Sequence, residues 1–210
     1  MLLPPLYPIL DTATIQRRGL HLAEATEALL DGGARILQLR HKGQFTRAMY
    51  ESAQAVAALC NQAGIPLVMN DRADIAMLLH AGLHLGQDDL PPLEARRLIG
   101  HTRILGFSTH NESQLRAAAD ESVNYVAIGP IFNTSSKENP DAVVGLENLR
   151  MWHTLTNRPL VAIGGITMAN AREVLAAGAN SVAIIGDLYP AECTKLTLRA
   201  RMEEWLKLVS

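Results

Sequence analysis

Short apolar runs rich in β-branched residues alternate with longer amphipathic segments along the whole chain of 210 residues. Such alternation is typical of strand–helix units that build a parallel sheet. Eight runs predict strands, at 6–10, 35–39, 66–69, 83–85, 103–107, 125–128, 159–163 and 181–185. The clearest helical patterns, with apolar residues at three- and four-residue spacing, lie at 20–30, 45–61, 168–177 and 191–208.

Eight units in one chain match a single-domain (β/α)8 TIM barrel of the α/β class, at the short end of the size range for that fold. No linker or change of composition divides the chain, so residues 1–210 are predicted to form one domain. The alternative is a doubly wound open sheet. The barrel is favoured because it needs eight strands, and because polar residues follow almost every strand rather than a single switch point.

Two polar residues predict where helices begin. Asn111 follows the fifth strand and Thr167 follows the seventh, and each side chain can accept a hydrogen bond from a backbone N–H of the first helical turn. Gly178 predicts the end of the helix before the last strand. The start signals at Asn111 and Thr167 and the end signal at Gly178 support helices after the fifth and seventh strands.

Charge and cysteine content exclude several classes of protein. The 21 acidic and 19 basic side chains give a net charge of -2 without any Lys and Arg cluster, which argues against a nucleic-acid or polybasic membrane surface. No apolar run approaches the roughly 20 residues of a membrane helix. The two cysteines are too few for a disulfide framework, so a reducing, cytoplasmic location is predicted.

Acidic residues follow two neighbouring strands at the barrel end that carries the chemistry in this fold. Asp71 follows the third strand and Asp89 follows the fourth, so their carboxylates can meet across one strand spacing. Carboxylates without His or Cys favour a hard cation such as Mg²⁺, which keeps several waters and bridges phosphate oxygens. The alternative is that Asp71 only caps a helix that begins near Ala73.

Cations and glycines at other strand ends favour a phosphorylated substrate. Arg40 and Lys42 follow the second strand, and alternation directs both side chains to the same side, where they either bind diphosphate oxygens or remain solvated. Gly164 and Gly165 follow the seventh strand, and Gly186 follows the eighth. Phosphate-binding barrels present backbone N–H groups at these two positions.

No residue pattern supplies a nucleophile. The sequence has no Gly-x-Ser-x-Gly or His-Glu-x-x-His motif, and the loop that contains Lys137 lacks the glycines of a P-loop. His84 lies on a short strand and is interpreted as a hydrogen-bonded core histidine rather than a catalyst. The groups left for catalysis are charged side chains, hydroxyl groups and a bound metal. This set favours a reaction in which a diphosphate leaves with electrostatic stabilisation.

Several segments resemble the thiamine phosphate synthase family, and they follow one another in order along essentially the whole chain. They are LYPILD at 6–11, QLRHK at 38–42, MNDR at 69–72, HLGQDDLP at 84–91, GFSTH at 106–110, GPIFNTSSK at 129–137, VGLE at 144–147 and AIGGI at 162–166. The segments HLGQDDLP and GPIFNTSSK are specific to the family, whereas AIGGI occurs in many phosphate-binding barrels.

The resemblance implies a TIM-barrel transferase. It would join 4-amino-2-methylpyrimidine-5-methyl diphosphate to a thiazole phosphate, or to the carboxylated form of that phosphate, and yield thiamine phosphate and pyrophosphate. In this family pyrophosphate departs first, the electron-rich aminopyrimidine stabilises the resulting carbocation, and the thiazole nitrogen captures it. This order agrees with the missing nucleophile.

The resemblance also implies residue roles. The residues implied for the pyrimidine diphosphate are Gln38, Leu39, Arg40, His41, Lys42, Asn70, Ser108 and Lys137. Those implied for catalysis are Arg40, Lys42, Ser108 and Lys137. Asp71 and Asp89 would bind Mg²⁺. Those implied for the thiazole phosphate are Thr134, Ser135, Ser136, Gly165, Ile185 and Gly186.

The chain departs from the family pattern after the last strand, where Gly186 and Asp187 stand in place of the usual Ser-Ala. The missing hydroxyl removes a phosphate donor, and a carboxylate facing inward would repel phosphate. We therefore expect Asp187 to point outward and to cap the following helix.

Two other functions remain open at the level of the sequence. One is a thiazole tautomerase of the same superfamily, which uses neither the pyrimidine diphosphate nor a metal. The other is a non-catalytic barrel that only holds a phosphorylated ligand. The expected partners are small molecules, with no nucleic acid and no membrane, and a homo-oligomer is left open.

Overall fold

The computed structural model describes residues 3–134 and 141–210, and its centre is a closed parallel barrel. Each strand is hydrogen-bonded to the next in sequence order, and the eighth pairs with the first. The strands are β1 Leu6–Asp11, β2 Leu37–Arg40, β3 Leu67–Asn70, β4 Gly82–Leu85, β5 Leu105–Thr109, β6 Tyr125–Ile128, β7 Leu160–Ile163 and β8 Ser181–Ile184. All eight predicted strands are confirmed, and closure of the sheet excludes the doubly wound alternative.

Helices follow the strands and cover the outside of the barrel. Those in the described residues are α1 Thr12–Arg17, α2 Leu22–Asp31, α3 Arg47–Gln62, α4 Ala73–Leu78, α5 Pro92–Ile99, α6 Glu112–Ala118, α7 Gly145–Trp152, α8 Ala171–Ala176 and α9 Lys195–Val209. Short 3₁₀ turns cover His153–Leu155 and Gly186–Leu188. Within the described ranges, none of the helices is long and apolar enough to cross a membrane.

The helix starts confirm one predicted cap and correct the other. Asn111 caps α6 by accepting a hydrogen bond from the Gln114 amide. Thr167 does not cap α8, because that helix begins only at Ala171. The Thr167 amide instead donates to the side chain of Asn170 across the preceding turn. The predicted helix at 168–177 is therefore three residues shorter at its start.

Apolar side chains form two separate layers because the strands alternate inward and outward. The larger layer lies between the strands and the helices and includes Leu10, Leu37 and Trp205. The smaller layer fills the barrel interior and includes Tyr7 and Tyr125. The interior layer forms the floor below the cavity at the carboxyl ends of the strands.

Candidate active site

A cavity of about 740 Å³ opens at the carboxyl ends of the barrel strands. Its size lies within the range of pockets that hold small ligands. The predicted site residues that line it are Gln38, Arg40, Lys42, Asn70, Asp71, Asp89, Ser108, Thr134, Gly165, Ile185 and Gly186. The barrel thus brings together residues that are up to about 150 positions apart in the chain.

Two predicted site residues have side chains that the structure places elsewhere. Leu39 belongs to the apolar layer outside the barrel, because it points away from its neighbours Gln38 and Arg40. The His41 ring contacts Thr12 Oγ1 at 2.8 Å and the Gln44 carbonyl at 3.2 Å rather than the cavity. Three further predicted residues, Ser135, Ser136 and Lys137, lie outside the described residues.

Arg40 is held in place by a buried carboxylate on the neighbouring strand. Its Nη1 donates to Asp11 Oδ2 at 2.5 Å, and Asp11 Oδ1 accepts from the amide and the hydroxyl of Thr14. Burial raises the pKa of Asp11, but the hydrogen bonds from Thr14 and Arg40 outweigh burial and hold that pKa below its usual value. Asp11 therefore carries a negative charge that fixes the guanidinium at the cavity wall.

Lys42 and Asp71 form a second ion pair between neighbouring strand ends. Lys42 Nζ donates to Asp71 Oδ2 at 2.5 Å. Asp71 has a backbone φ of 64°, a left-handed conformation that Asp tolerates better than most residues. Helix α4 has Arg72 as its N-cap, without a side-chain capping bond, so the alternative role of Asp71 as a cap is not observed.

Asp89 lies close to Asp71, and the two carboxylates form an acidic pair. Asp89 Oδ2 accepts from the Gly86 amide at 2.7 Å. Burial raises the pKa of Asp89, the Gly86 hydrogen bond opposes that rise, and the Asp71 charge adds to it. A divalent cation between the pair would relieve this repulsion. In the described part of the chain, no group of three or more His, Cys, Asp or Glu side chains is placed to hold a metal, so waters and substrate oxygens would supply the remaining ligands.

These observations fit Mg²⁺, which is commonly held by one or two carboxylates while waters and substrate phosphates complete its octahedron. Two carboxylates facing one cavity are the donor set that such a site requires. Next to Asp71, Asn70 adds an uncharged hydrogen-bond donor for the substrate, because its buried Nδ2 has no hydrogen-bond partner among the described residues. An incoming ligand oxygen can satisfy that group.

Glycines form the opposite end of the cavity. Gly164 and Gly165 have φ angles of 98° and 66°, which disfavour any residue with a side chain. A Cβ atom at Gly164 would overlap Pro130, and one at Gly165 would overlap the backbone around Phe132. These glycines therefore allow the β7 loop to pack closely against the loop after β6.

The structure contradicts the expectation that Asp187 points outward and caps the next helix. Asp187 lines the glycine end of the cavity, and its Oδ2 accepts a hydrogen bond from the Met168 amide at 3.3 Å. Helix α9 is capped by Thr194 instead. The residues between Asp187 and α9 form no helix that this carboxylate could cap. The backbone amide of Met168, in the loop after β7, lies next to the carboxylate and donates to it.

A buried polar network on the cavity floor was not found from the sequence. Gln38 Nε2 donates to Tyr7 Oη at 3.4 Å, and Tyr7 Oη lies 3.0 Å from Tyr125 Oη. His84 contacts Tyr125 Oη through Nδ1 and Ser108 Oγ through Nε2, each at 2.8 Å. The prediction that His84 is a hydrogen-bonded core residue is confirmed, but the residue also lines the cavity.

Burial controls ionisation in this network. It lowers the pKa of His84 to about 4, against the opposing charge of Asp71, and it raises the pKa of Tyr7 to about 12. The imidazole and the phenols are therefore neutral near pH 7. The sequence signal for the network is the two-residue alternation that directs Tyr7, Gln38, His84 and Tyr125 into the barrel.

The fold and the site define the class: a TIM-barrel protein whose cavity has cations and acids at one end and a glycine-lined end at the other, suited to phosphorylated small molecules. Comparison with known proteins is more specific. The family model described as thiamine monophosphate synthase matches residues 6–188. The chain belongs to the thiamine monophosphate synthase family.

Individual relatives agree with this family along nearly the whole chain. A thiamine-phosphate synthase from Koribacter versatilis is 42% identical over 99% of this chain and 96% of its own. One from Chloroflexus aurantiacus is 42% identical over 89% of this chain and 86% of its own. The solved thiamine phosphate pyrophosphorylase from Pyrococcus furiosus is 30% identical, with a TM-score of 0.82 over 98% of this chain and 95% of that one.

Proposed function

We propose that this protein is a thiamine phosphate synthase. It joins 4-amino-2-methylpyrimidine-5-methyl diphosphate to a thiazole phosphate and releases pyrophosphate; with the carboxylated form of the thiazole phosphate, the carboxyl group also leaves as CO₂. The observation that carries the proposal is the joint presence of Arg40, Lys42, Asp71 and Asp89 at one end of a single cavity. A simple isomerase or a binding barrel for one phosphate has no need for all four charged groups.

The cationic end is suited to hold the diphosphate and to stabilise its departure. Arg40 presents a fork of donors that Asp11 orients, and Lys42 adds a compact positive charge. Asn70 and Ser108 add neutral donors on the same wall. When the carbon–oxygen bond breaks, its electron pair stays on pyrophosphate, and groups already aimed at that charge stabilise the transition state without reorganising.

The acidic pair is where Mg²⁺ would bind, held by Asp71 and Asp89. When bound, the ion would neutralise diphosphate charge and so assist the leaving group. Lys42 pairs with Asp71 in the described structure, so it also limits repulsion between the two carboxylates before substrate binds.

The second substrate would place its phosphate at the glycine end. There Gly165 and Gly186 let the backbone approach a phosphate closely, and Thr134 adds a hydroxyl. The thiazole nitrogen would then face the pyrimidine methylene carbon from across the cavity and donate its electron pair to form the new carbon–nitrogen bond. The chain contributes by orienting both substrates, an effect that can supply several kcal/mol.

The experiment that tests this function supplies purified protein with both substrates and Mg²⁺ and follows both products. We expect pyrophosphate and thiamine phosphate to appear in equal amounts. Interconversion of a thiazole tautomer without metal, and without either product, would identify the tautomerase instead. Ligand binding without turnover would identify the non-catalytic alternative.

The predicted catalytic role of Lys137 and the phosphate roles of Ser135 and Ser136 belong to the same proposal. Lys137→Ala should lower turnover far more than it lowers the free energy of unfolding.

A cytoplasmic location and self-association are also proposals. Cell fractionation would test the location, and sedimentation of the purified protein would test self-association.

A further inference from the structure

The polar network on the cavity floor ends in a group that can only donate, and this fixes the direction of its hydrogen bonds. At one end, the Gln38 amide nitrogen can only donate, so Tyr7 Oη accepts there. Among the described contacts of Tyr7 Oη, the acceptor left for its proton is Tyr125 Oη, and the acceptor then left for the Tyr125 proton is His84 Nδ1. Each hydroxyl accepts one hydrogen bond and donates the next.

The direction continues through the imidazole to the cavity. Because Nδ1 of His84 accepts, the ring proton of the uncharged imidazole must lie on Nε2, 2.8 Å from Ser108 Oγ. Ser108 Oγ accepts that hydrogen bond, so its own proton is left to donate. Ser108 lines the cavity, and a diphosphate oxygen bound there can only accept.

The ring of His84 is also fixed in orientation. It stacks on the Tyr125 ring at a centroid distance of 5.6 Å and an interplanar angle of 15°. Space for the Tyr125 ring exists because residue 106 is glycine, since a Cβ atom there would overlap the ring. Packing therefore holds His84 Nε2 against Ser108.

We propose that His84 is a positioning residue: with its proton on Nε2 it donates to Ser108 and thereby directs the Ser108 hydroxyl proton into the cavity, toward the diphosphate. His84 itself need not touch the substrate. This inference rests on the proposed function for the identity of the ligand, whereas the hydrogen-bond direction does not depend on it.

The first test reads the tautomer in the unmodified protein. Heteronuclear NMR of isotope-labelled histidine side chains near pH 7 should show His84 with its proton on Nε2, assigned by the signal that disappears in His84→Gln. In Tyr125→Phe the donor to Nδ1 is gone, and the Nδ1–H form should become detectable. An Nδ1–H tautomer in the unmodified protein would overturn the proposal.

The second test uses two substitutions that keep different ring nitrogens. The Gln amide reaches about as far as Nε2, whereas the shorter Asn amide reaches only as far as Nδ1. His84→Gln should therefore keep affinity for inorganic pyrophosphate with Mg²⁺ within about threefold. His84→Asn should weaken it by about 10- to 100-fold, the range for loss of one hydrogen bond to a charged group.

A double substitution shows whether His84 acts through Ser108. Ser108→Ala should weaken pyrophosphate binding as much as His84→Asn does, and the double variant should be no weaker than Ser108→Ala. Additive losses would contradict the proposal. Thr109→Val is the matched control, because it removes a neighbouring hydroxyl on the same strand that donates only to the Ala127 carbonyl, and it should change affinity little.

These measurements separate the two proposals. If the protein forms no thiamine phosphate but shows the Nε2–H tautomer and the non-additive losses in pyrophosphate affinity, the role of His84 stands and the proposed function fails. If it forms thiamine phosphate while His84→Asn binds and turns over as the unmodified protein does, only the role of His84 fails.

Discussion

Charged residues at the cavity mouth are held by partners one strand away. Arg40 on β2 pairs with Asp11 on β1, and Lys42 after β2 pairs with Asp71 after β3. Because each pair joins neighbouring strand ends, its geometry depends on the barrel register. Substitution of one member of either pair should therefore change both ligand affinity and local stability.

Asp11→Asn should weaken binding of the pyrimidine diphosphate and lower the free energy of unfolding by about 2 kcal/mol at neutral pH, because the guanidinium loses its charged partner. The pKa of Asp11 is lowered in the folded protein. Its contribution is therefore fully present above its unfolded pKa, near 4, and is lost as the pH falls through the lower folded value.

Urea unfolding of the unmodified protein and of Asp11→Asn, near pH 7 and near pH 2, measures this contribution of Asp11 to stability. The stability difference between them should shrink at the lower pH. Asp120→Asn makes the same chemical change at an exposed site and should leave stability unchanged. A difference that is equally large at both pH values would show that the loss comes from packing rather than charge.

Asp187→Asn should strengthen binding of thiazole phosphate, because a carboxylate then no longer faces the phosphate at the glycine end. The expected gain is about fivefold, or roughly 1 kcal/mol, for one partly solvated charge. Titration calorimetry measures it, with Glu51→Gln on exposed α3 as a control for total charge. Weaker binding in Asp187→Asn would show that the hydrogen bond to Met168 organises this end for the phosphate.

At the scale of the element, the loop after β7 is determined by its backbone. Gly164 has a positive φ, and a Cβ atom there would overlap Pro130, so both conformation and space demand glycine. Helix α8 begins late because the turn before it is closed by Asn170. The loop and the short helix together determine the position of the glycine-lined end of the cavity.

Gly164→Ala should lower the free energy of unfolding by about 2 to 4 kcal/mol, from a strained φ and from overlap with Pro130. Gly64→Ala is the matched control, since Gly64 also has a positive φ of 68° but nothing near its added methyl group. Its loss should be only about 1 kcal/mol. Equal losses in chemical denaturation would mean that Pro130 moves aside without cost.

At the scale of the whole molecule, closure of the barrel joins the first strand to the last and places the cavity on strand ends from every part of the chain. Ligands that bind there should therefore stabilise the fold as a whole. The prediction of one domain over residues 1–210 implies a single cooperative transition.

Pyrophosphate with Mg²⁺ should raise Tm more than either ligand alone. At a ligand concentration of about 100 times Kd the gain is about 2.7 kcal/mol, which corresponds to roughly 5 to 10 °C for a chain of this size. Differential scanning calorimetry measures the shift. In the double variant Asp71→Asn/Asp89→Asn the increment from Mg²⁺ should vanish, and an undiminished increment would place the metal elsewhere.

The sequence by itself determined the eight strands, the barrel and eleven residues of the cavity wall. These follow from local patterns, because alternation within a strand directs Gln38 and Arg40 inward, and strand ends in a barrel share one face. The same patterns misplaced Thr167 and Asp187, since a cap depends on where the helix actually begins and on which amide lies nearby.

Only the tertiary structure decided which polar groups meet. Tyr7, His84 and Tyr125 lie on β1, β4 and β6, so no spacing in the chain shows that their polar atoms form one network. The pairing of Asp11 with Arg40 likewise depends on the register between two strands. The physical reason is that hydrogen bonds and ion pairs act over about 3 Å in space, a distance that closure of the barrel sets and the order of residues does not.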